Sequence, residues 1–396
     1  MTPTQPLPAH VVVICQLDRY ANGVRPTELE RFLTRRGHRV KLLNTYYLSR
    51  AGEASKMPSL RPGRLMLYLT EVLAAINRRW QWGHSHLSYY LTLADFRLRG
   101  RILDRSLELD DADLIICETP YDSAVLLGNR GPIRLYDCPT PWADELFYEG
   151  RLTQRQWDRL RRLEAEVFEK VDYLTFFWQT YADYAVRQYE ISGQNLLTLN
   201  FGCTPSPSRA QFAQRPRIAY LGSLSSRFID LPLLSRLTEQ YGDIDVYGAP
   251  PPDPALGLNY CGYAKPEVLL GYQAGLITCT KDELRRDGFS AKHLEYLAYG
   301  LPVLVPEWRR HLDLLPGSIP YSESGFQSVI ASLSDEKTWH QLSDKAYAEA
   351  ESRSWDRSLR PLGDLLTSLV SSARTSDAIA RESGSAVPSK SSQRVD

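Results

Sequence analysis

The chain has 396 residues, more than one hydrophobic core usually serves, so two domains are expected. Basic and acidic residues both number 47, and this zero formal charge argues against a nucleic-acid partner. Six scattered cysteines without a Cys-x-x-Cys pair argue against a disulfide framework or zinc site, and neither a signal peptide nor a bilayer-spanning apolar run is evident, so a cytoplasmic protein is expected.

His10 to Gln16 is a continuous apolar run of the kind a parallel strand shows when both its faces are buried. A loop containing Gly23 follows, then a helix from about Pro26 to Arg36, with Pro in the favourable first turn, and a strand from Arg39 to Leu43. No Gly-x-Gly-x-x-Gly fingerprint accompanies this opening. Helices are expected over 64–79, 98–108, 151–170 and 178–189, and strands over 113–117, 133–136, 173–177 and 196–199. Asn200 to Ser208, with two prolines and several small polar residues, reads as a linker.

A second half begins at Arg217-Ile-Ala-Tyr-Leu-Gly222, with further strands at 244–247, 258–261, 275–279 and 302–305. Strands alternating with helices imply a mostly parallel sheet in each half, with ligands at the carboxyl ends of strands, where Gly222, Gly248, Gly262 and Asp287 fall. The expected layout is two Rossmann-like domains, 1–205 and 206–355, with a disordered tail over 373–396. From Ser371 that tail holds eight serines and almost no large apolar residue to offset its ordering entropy.

Residues 287–305 are the most informative. Asp287 and Glu295 are separated by a Gly-Phe-Ser turn and the start of a helix that Gly300-Leu301-Pro302 closes before an apolar strand. Amides at a helix N-terminus can face a phosphate, and carboxylates accept strong hydrogen bonds from sugar hydroxyls. On helical geometry Lys292, Glu295, Tyr296 and Tyr299 share a stripe expected to face the ligand, while Leu294, Leu297 and Ala298 face the sheet.

Asp287-Gly288-Phe289-Ser290 followed by Glu295-Tyr-Leu-Ala-Tyr-Gly-Leu-Pro-Val303 resembles the Glu, seven residues, Glu donor motif of retaining glycosyltransferases with two facing Rossmann-like domains, the GT-B fold, particularly family 4. Asp287 is one methylene shorter than the family's Glu. The resemblance covers 217–360 well and 10–205 only loosely, and Ser354-Trp355-Asp356, similar to the family's Ser-Trp-x element, implies a C-terminal helix over 356–372 that crosses back to the first domain. It implies that Glu295 holds the nucleotide ribose and Asp287, the candidate catalytic residue, touches the donor sugar, with Gly288, Phe289, Ser290 and Lys292 completing that edge of the donor site.

A Gly-Ser loop with an arginine can approach a diphosphate, which makes Gly222, Ser223 and Arg227 donor-site candidates. The family's second basic residue after this strand is missing. On the acceptor or diphosphate side Gly23, Glu118 and Asp137 are candidates, Gly23 by letting backbone approach the donor's diphosphate or the acceptor, the acids by binding acceptor hydroxyls or as a base if the reaction inverts. No Asp-x-Asp stands at a suitable strand end, so transfer without a metal is expected, with the nucleotide sugar as co-substrate and no cofactor. The expected acceptor is a glycan or lipid-linked glycan in polysaccharide assembly. The rivals are a sugar-nucleotide epimerase of the same fold and a non-catalytic sugar-binding partner subunit. Residues 61–105 hold eight arginines against three acids among aromatics, a pattern that suits peripheral contact with an anionic membrane's inner face.

Overall fold

The computed structural model describes residues 8–15, 24–45, 97–98, 100–101, 103–104, 109, 111–120, 122–128, 131–193, 195–309 and 315–369. Gly23, the helix expected over 64–79, most of the arginine-rich segment and the tail lie outside the described residues.

The first sheet is wholly parallel, in the order β2 (Arg39–Asn44), β1 (His10–Cys15), β3 (Leu114–Cys117), β4 (Ile133–Cys138), β5 (Tyr173–Phe176). Strand alternation sorts its side chains. Val11 and Val13 of β1 and Leu114 and Ile116 of β3 enter one core, while Val12, Ile14, Ile115 and Cys117 enter the core on the other face. Packed around it are α1 (Val24–Arg35), α2 (Trp142–Tyr148), α3 (Gln154–Lys170) and α4 (Gln179–Tyr189). The segment expected as a strand at 196–199 makes only an isolated bridge, Leu196 to Leu174, and farther along the Leu199 and Asn200 carbonyls accept from the Arg25 side chain.

The second sheet is also parallel, in the order β11 (Ser318–Tyr321), β10 (Val303–Pro306), β9 (Ala274–Leu276), β6 (Ile218–Leu221), β7 (Ile244–Tyr247), β8 (Asn259–Gly262). Strand β11 was not anticipated. Its Pro320 cannot donate to a ladder, and it sits at the sheet edge, where that is tolerated. Helices α5 (Leu231–Tyr241), α6 (Glu283–Asp287), α7 (Ala291–Ala298), α8 (Phe326–Leu333) and α9 (Glu336–Ser352) belong to this half.

The chain then returns. Trp355, in α10 (Trp355–Ser358), and Leu359, Leu362 and Leu366 join the first domain's core beside Leu29, Phe32 and Leu33 of α1. The outgoing and returning strands of chain touch, since Cys203 N donates to Arg353 O (2.9 Å) and Cys203 bridges Ser354. Gly202 lies against the Trp355 ring, where a Cβ would come within 2.7 Å. In the second sheet the strand order reverses between β6 and β9, and the crevice at their carboxyl ends is where such sheets bind ligands.

Candidate active site

At that crevice two glycines let backbone and a cation crowd together. Gly222, after β6, has φ +149°, and a Cβ there would lie 1.9 Å from Lys292 Cε. Gly248, after β7, has φ +159°, and its Cβ would meet the Gly222 carbonyl oxygen at 1.9 Å. Only glycine fits either place. Beyond Gly222 the loop is held by Tyr220 Oη, which donates to Ser223 O (3.1 Å), while the Ser223 side chain pairs with Ser225.

Ser290 caps the start of helix α7, its hydroxyl accepting from the Lys292 amide (3.3 Å). Lys292 lies half-buried over the Tyr220 ring, 5.0 Å from its centroid, and Nζ donates to Tyr220 Oη (3.2 Å). It makes no ion pair among the described residues. Burial lowers its pKa to about 8, with Cys279 and Glu295 opposing the shift. Glu295, half-buried one turn along, is pushed by burial to about 7, with Lys292 opposing and the Glu267 charge adding. Burial therefore outweighs the mutual attraction of this pair. Tyr299 is half-buried on the same side. Tyr296 departs from the expected ligand-facing stripe. It is fully buried toward the sheet, its hydroxyl accepting from Leu221 N (2.8 Å) and donating to Leu276 O, and so stitches β6 to β9. Gly275 makes room for its ring, since a Cβ there would come within 2.2 Å.

If Lys292 binds an anion, affinity for a nucleoside diphosphate is expected to fall as pH rises through about 8, where the ammonium is lost. Titration calorimetry from pH 6.5 to 9.5 tests this. Lys292→Met should bind more weakly and lose the alkaline dependence.

Asp287 ends α6 and is 1% exposed, with Oδ2 accepting from Arg187 Nη2 of α4 (2.7 Å). Gly288 presses on Tyr181, where a Cβ would lie 2.1 Å from the hydroxyl, and Phe289 packs on Trp178 with ring centroids 5.5 Å apart. The Asp-Gly-Phe turn thus touches the first domain. Arg227 is exposed and donates to the Glu149 carbonyl (3.0 Å), another contact between domains.

Asp137, expected on the acceptor side, is completely buried with both oxygens engaged by Arg25 (2.6 and 2.9 Å). It fastens β4 to α1 and does not open onto a ligand. The half-buried Glu118 after β3 differs, since burial and then the Asp137 charge push its carboxyl well above the usual range against Arg25. Sequence reasoning missed Arg25, Arg187, Arg285 and Arg309, because nothing in their spacing distinguishes them from surface arginines.

No family model matches the chain, and no curated protein sequence matches it. Solved structures do. A glycosyltransferase from Rickettsia africae aligns with TM-score 0.57 and 10% identity over 92% of this chain and 99% of that one. HepE of Anabaena, solved with UDP and glucose, aligns with TM-score 0.56 and 12% identity over 91% and 100%. A variant of S. aureus TarM, solved with fondaparinux, α-GlcNAc-glycerol and UDP, gives TM-score 0.53 and 12% identity over 68% of this chain and 58% of its own. The chain has the fold of the two-Rossmann-domain, GT-B glycosyltransferases.

Proposed function

We propose that the protein transfers a sugar from a nucleoside diphosphate donor to a hydroxyl of a glycan or lipid-linked glycan. The observation that carries this reading is the pairing of Lys292 and Glu295, one helical turn apart and half-buried, with the glycine-walled loop at the β6–β9 crevice. Glu295 accepts hydrogen bonds from the ribose hydroxyls. Lys292, the Ser290 end of α7 and the loop of Gly222 and Ser223 hold the diphosphate and stabilise the charge that builds on it as it leaves, with no metal called for. Gly288 and Phe289 form the wall beside the sugar, and Glu118 faces the acceptor. The resemblance of the Asp287–Glu295 motif to the donor motif of retaining transferases supports retention, with the diphosphate departing on the face that the acceptor approaches. HepE and TarM, each solved with UDP, support a uridine nucleotide as the first donor to try. The arginine-rich 61–105 segment supports peripheral contact with anionic lipid; among the described residues no helix is long and apolar enough to cross a membrane.

The test is to follow nucleoside diphosphate release with and without a glycan acceptor, reading the product anomer by NMR. Release that needs an acceptor, with the donor's configuration kept, is expected. Acceptor-independent change in the nucleotide sugar would indicate an epimerase, and binding without turnover a partner subunit. Asp287→Ala is expected to slow transfer at least tenfold while leaving free nucleoside diphosphate affinity within about threefold, a loss of transition-state stabilisation near 1.4 kcal/mol or more. Full transfer by that variant would remove Asp287 from the site.

A further inference from the structure

Two buried cations at the crevice have no place in the scheme above. Arg285 of α6 is 8% exposed, and Arg309, three residues past β10, is 7% exposed. Nε and Nη2 of Arg285 and Nε of Arg309 are buried without a hydrogen-bond partner. Arg285 lies over the Phe228 ring (4.3 Å) and Arg309 over the Phe289 ring (5.3 Å). Arg285 forms an ion pair with Glu145 of the first domain at 3.6 Å, a distance too long for a hydrogen bond. Arg309 has no ion pair among the described residues.

A guanidinium nitrogen stripped of water and left without an acceptor is costly, and a second guanidinium with the same deficit beyond the neighbouring strand calls for a reason. Arg285 follows β9 and Arg309 follows β10, neighbouring strands of the sheet, and the Phe228 ring under Arg285 belongs to the loop after β6, whose Phe228 carbonyl accepts from the Thr280 amide of the loop after β9 (3.0 Å). Thr278 Oγ1 and Ser226 Oγ, on the loops after β9 and β6, are likewise buried without partners. The unmet donors therefore lie beyond the carboxyl ends of the adjacent strands β6, β9 and β10, beside the contacts that Arg285 makes with Glu145 and Phe289 with Trp178 of the first domain.

We infer that Arg285 and Arg309 bind an oxyanion of the substrate with their planar guanidinium forks, the role for which the sequence offered Arg227. Two sources share this chemistry, the distal phosphate of the donor or a carboxylate on the transferred sugar. The inference rests on the donor-site reading above.

Wild type, Arg285→Gln and Arg309→Gln are titrated with inorganic pyrophosphate, UMP, UDP, UDP-glucose and UDP-glucuronic acid, with GDP, ADP and dTDP alongside. Losing charge-assisted hydrogen bonds should weaken oxyanion binding about tenfold to a hundredfold. Loss for pyrophosphate and the diphosphates, with UMP nearly unchanged, assigns the phosphate. Loss confined to UDP-glucuronic acid assigns the carboxylate. Unchanged affinity of both variants for every probe that wild type binds overturns the inference. Arginine-dependent binding of pyrophosphate without binding of any nucleotide overturns the donor reading and keeps the oxyanion site. No binding of any probe by wild type overturns both. Because the buried nitrogens of Arg285 and Arg309 named above meet no acceptor in the ligand-free protein, the substitutions should leave the ligand-free melting temperature little changed, and a fall of several degrees in both variants would make the arginines structural and sink the proposal. Should glutamine prevent folding, Arg285→Lys and Arg309→Lys keep the charge without the fork and are read against the same outcomes.

Discussion

Arg25→Ala is expected to lower the unfolding free energy by about 3–5 kcal/mol, because it leaves a buried carboxylate without its counter-charge. Arg25 is 2% exposed and Asp137 is fully buried. Besides its two bonds to Asp137, the guanidinium donates to the carbonyls of Asn200 (2.9 Å) and Leu199 (2.8 Å) and lies 4.6 Å from the Phe177 ring centroid. One side chain thus joins α1, β4 and the start of the linker. Burial already pushes the Asp137 carboxyl up, and Arg25 opposes the shift. Without Arg25 the folded-state pKa rises further above the unfolded value. A raised carboxyl pKa penalises folding above the unfolded value, and the penalty recedes as pH falls through the folded one. The deficit in urea unfolding should therefore be larger at pH 7.5 than at pH 5. Arg25→Met with Asp137→Leu should recover much of the loss, as apolar replacements of buried ion pairs often do. A deficit below about 1 kcal/mol for Arg25→Ala would show the pair to be incidental.

Gly248→Ala is expected to be the most damaging single-methyl change near the crevice. Its Cβ would meet the Gly222 carbonyl oxygen at 1.9 Å and carbon at 3.0 Å, both backbone atoms, in a backbone conformation that L side chains rarely adopt. Strain of about 1–3 kcal/mol is expected, plus displacement of the loop that carries Gly222 and Ser223. Both stability and nucleoside diphosphate affinity should fall. Gly257→Ala isolates the conformational part, because at φ +60° its Cβ would meet nothing within 4 Å. It should cost only about 1–2 kcal/mol and leave binding untouched. Equal losses from the two substitutions would mean that the close approach at Gly248 is unimportant.

What the sequence made legible follows from what each pattern encodes. Buried parallel strands are continuous apolar runs, so β1, β6 and β10 could be read directly, whereas β11 could not, because Pro320 disguises it. The Gly-Phe-Ser turn and Gly-Leu-Pro exit placed α7 correctly between them. Helical spacing misplaced Tyr296, because a periodic stripe does not say which tyrosine has a partner. Gly275 was the overlooked sign, since a glycine within a strand often marks the close approach of another group. Asp137 was read as a possible ligand contact because its arginine stands 112 residues earlier, and pairing over that separation leaves no local trace. The contact of Asp287 with Arg187, across 100 residues, was hidden for the same reason.

The central claim is that the crevice beside α7 binds a nucleoside diphosphate sugar through Glu295 and Lys292. The most direct measurement is titration of wild type and Glu295→Ala with a panel of nucleoside diphosphate sugars, reading affinity by calorimetry and folding by melting temperature. At least one donor should bind wild type and, at about 100 times its dissociation constant, add roughly 2.7 kcal/mol to folding stability. Glu295→Ala should remain folded and bind that donor more weakly by about 1.5–3 kcal/mol, the worth of hydrogen bonds to a charged acceptor. A panel in which no member binds, or a donor held equally by both proteins, would contradict the account.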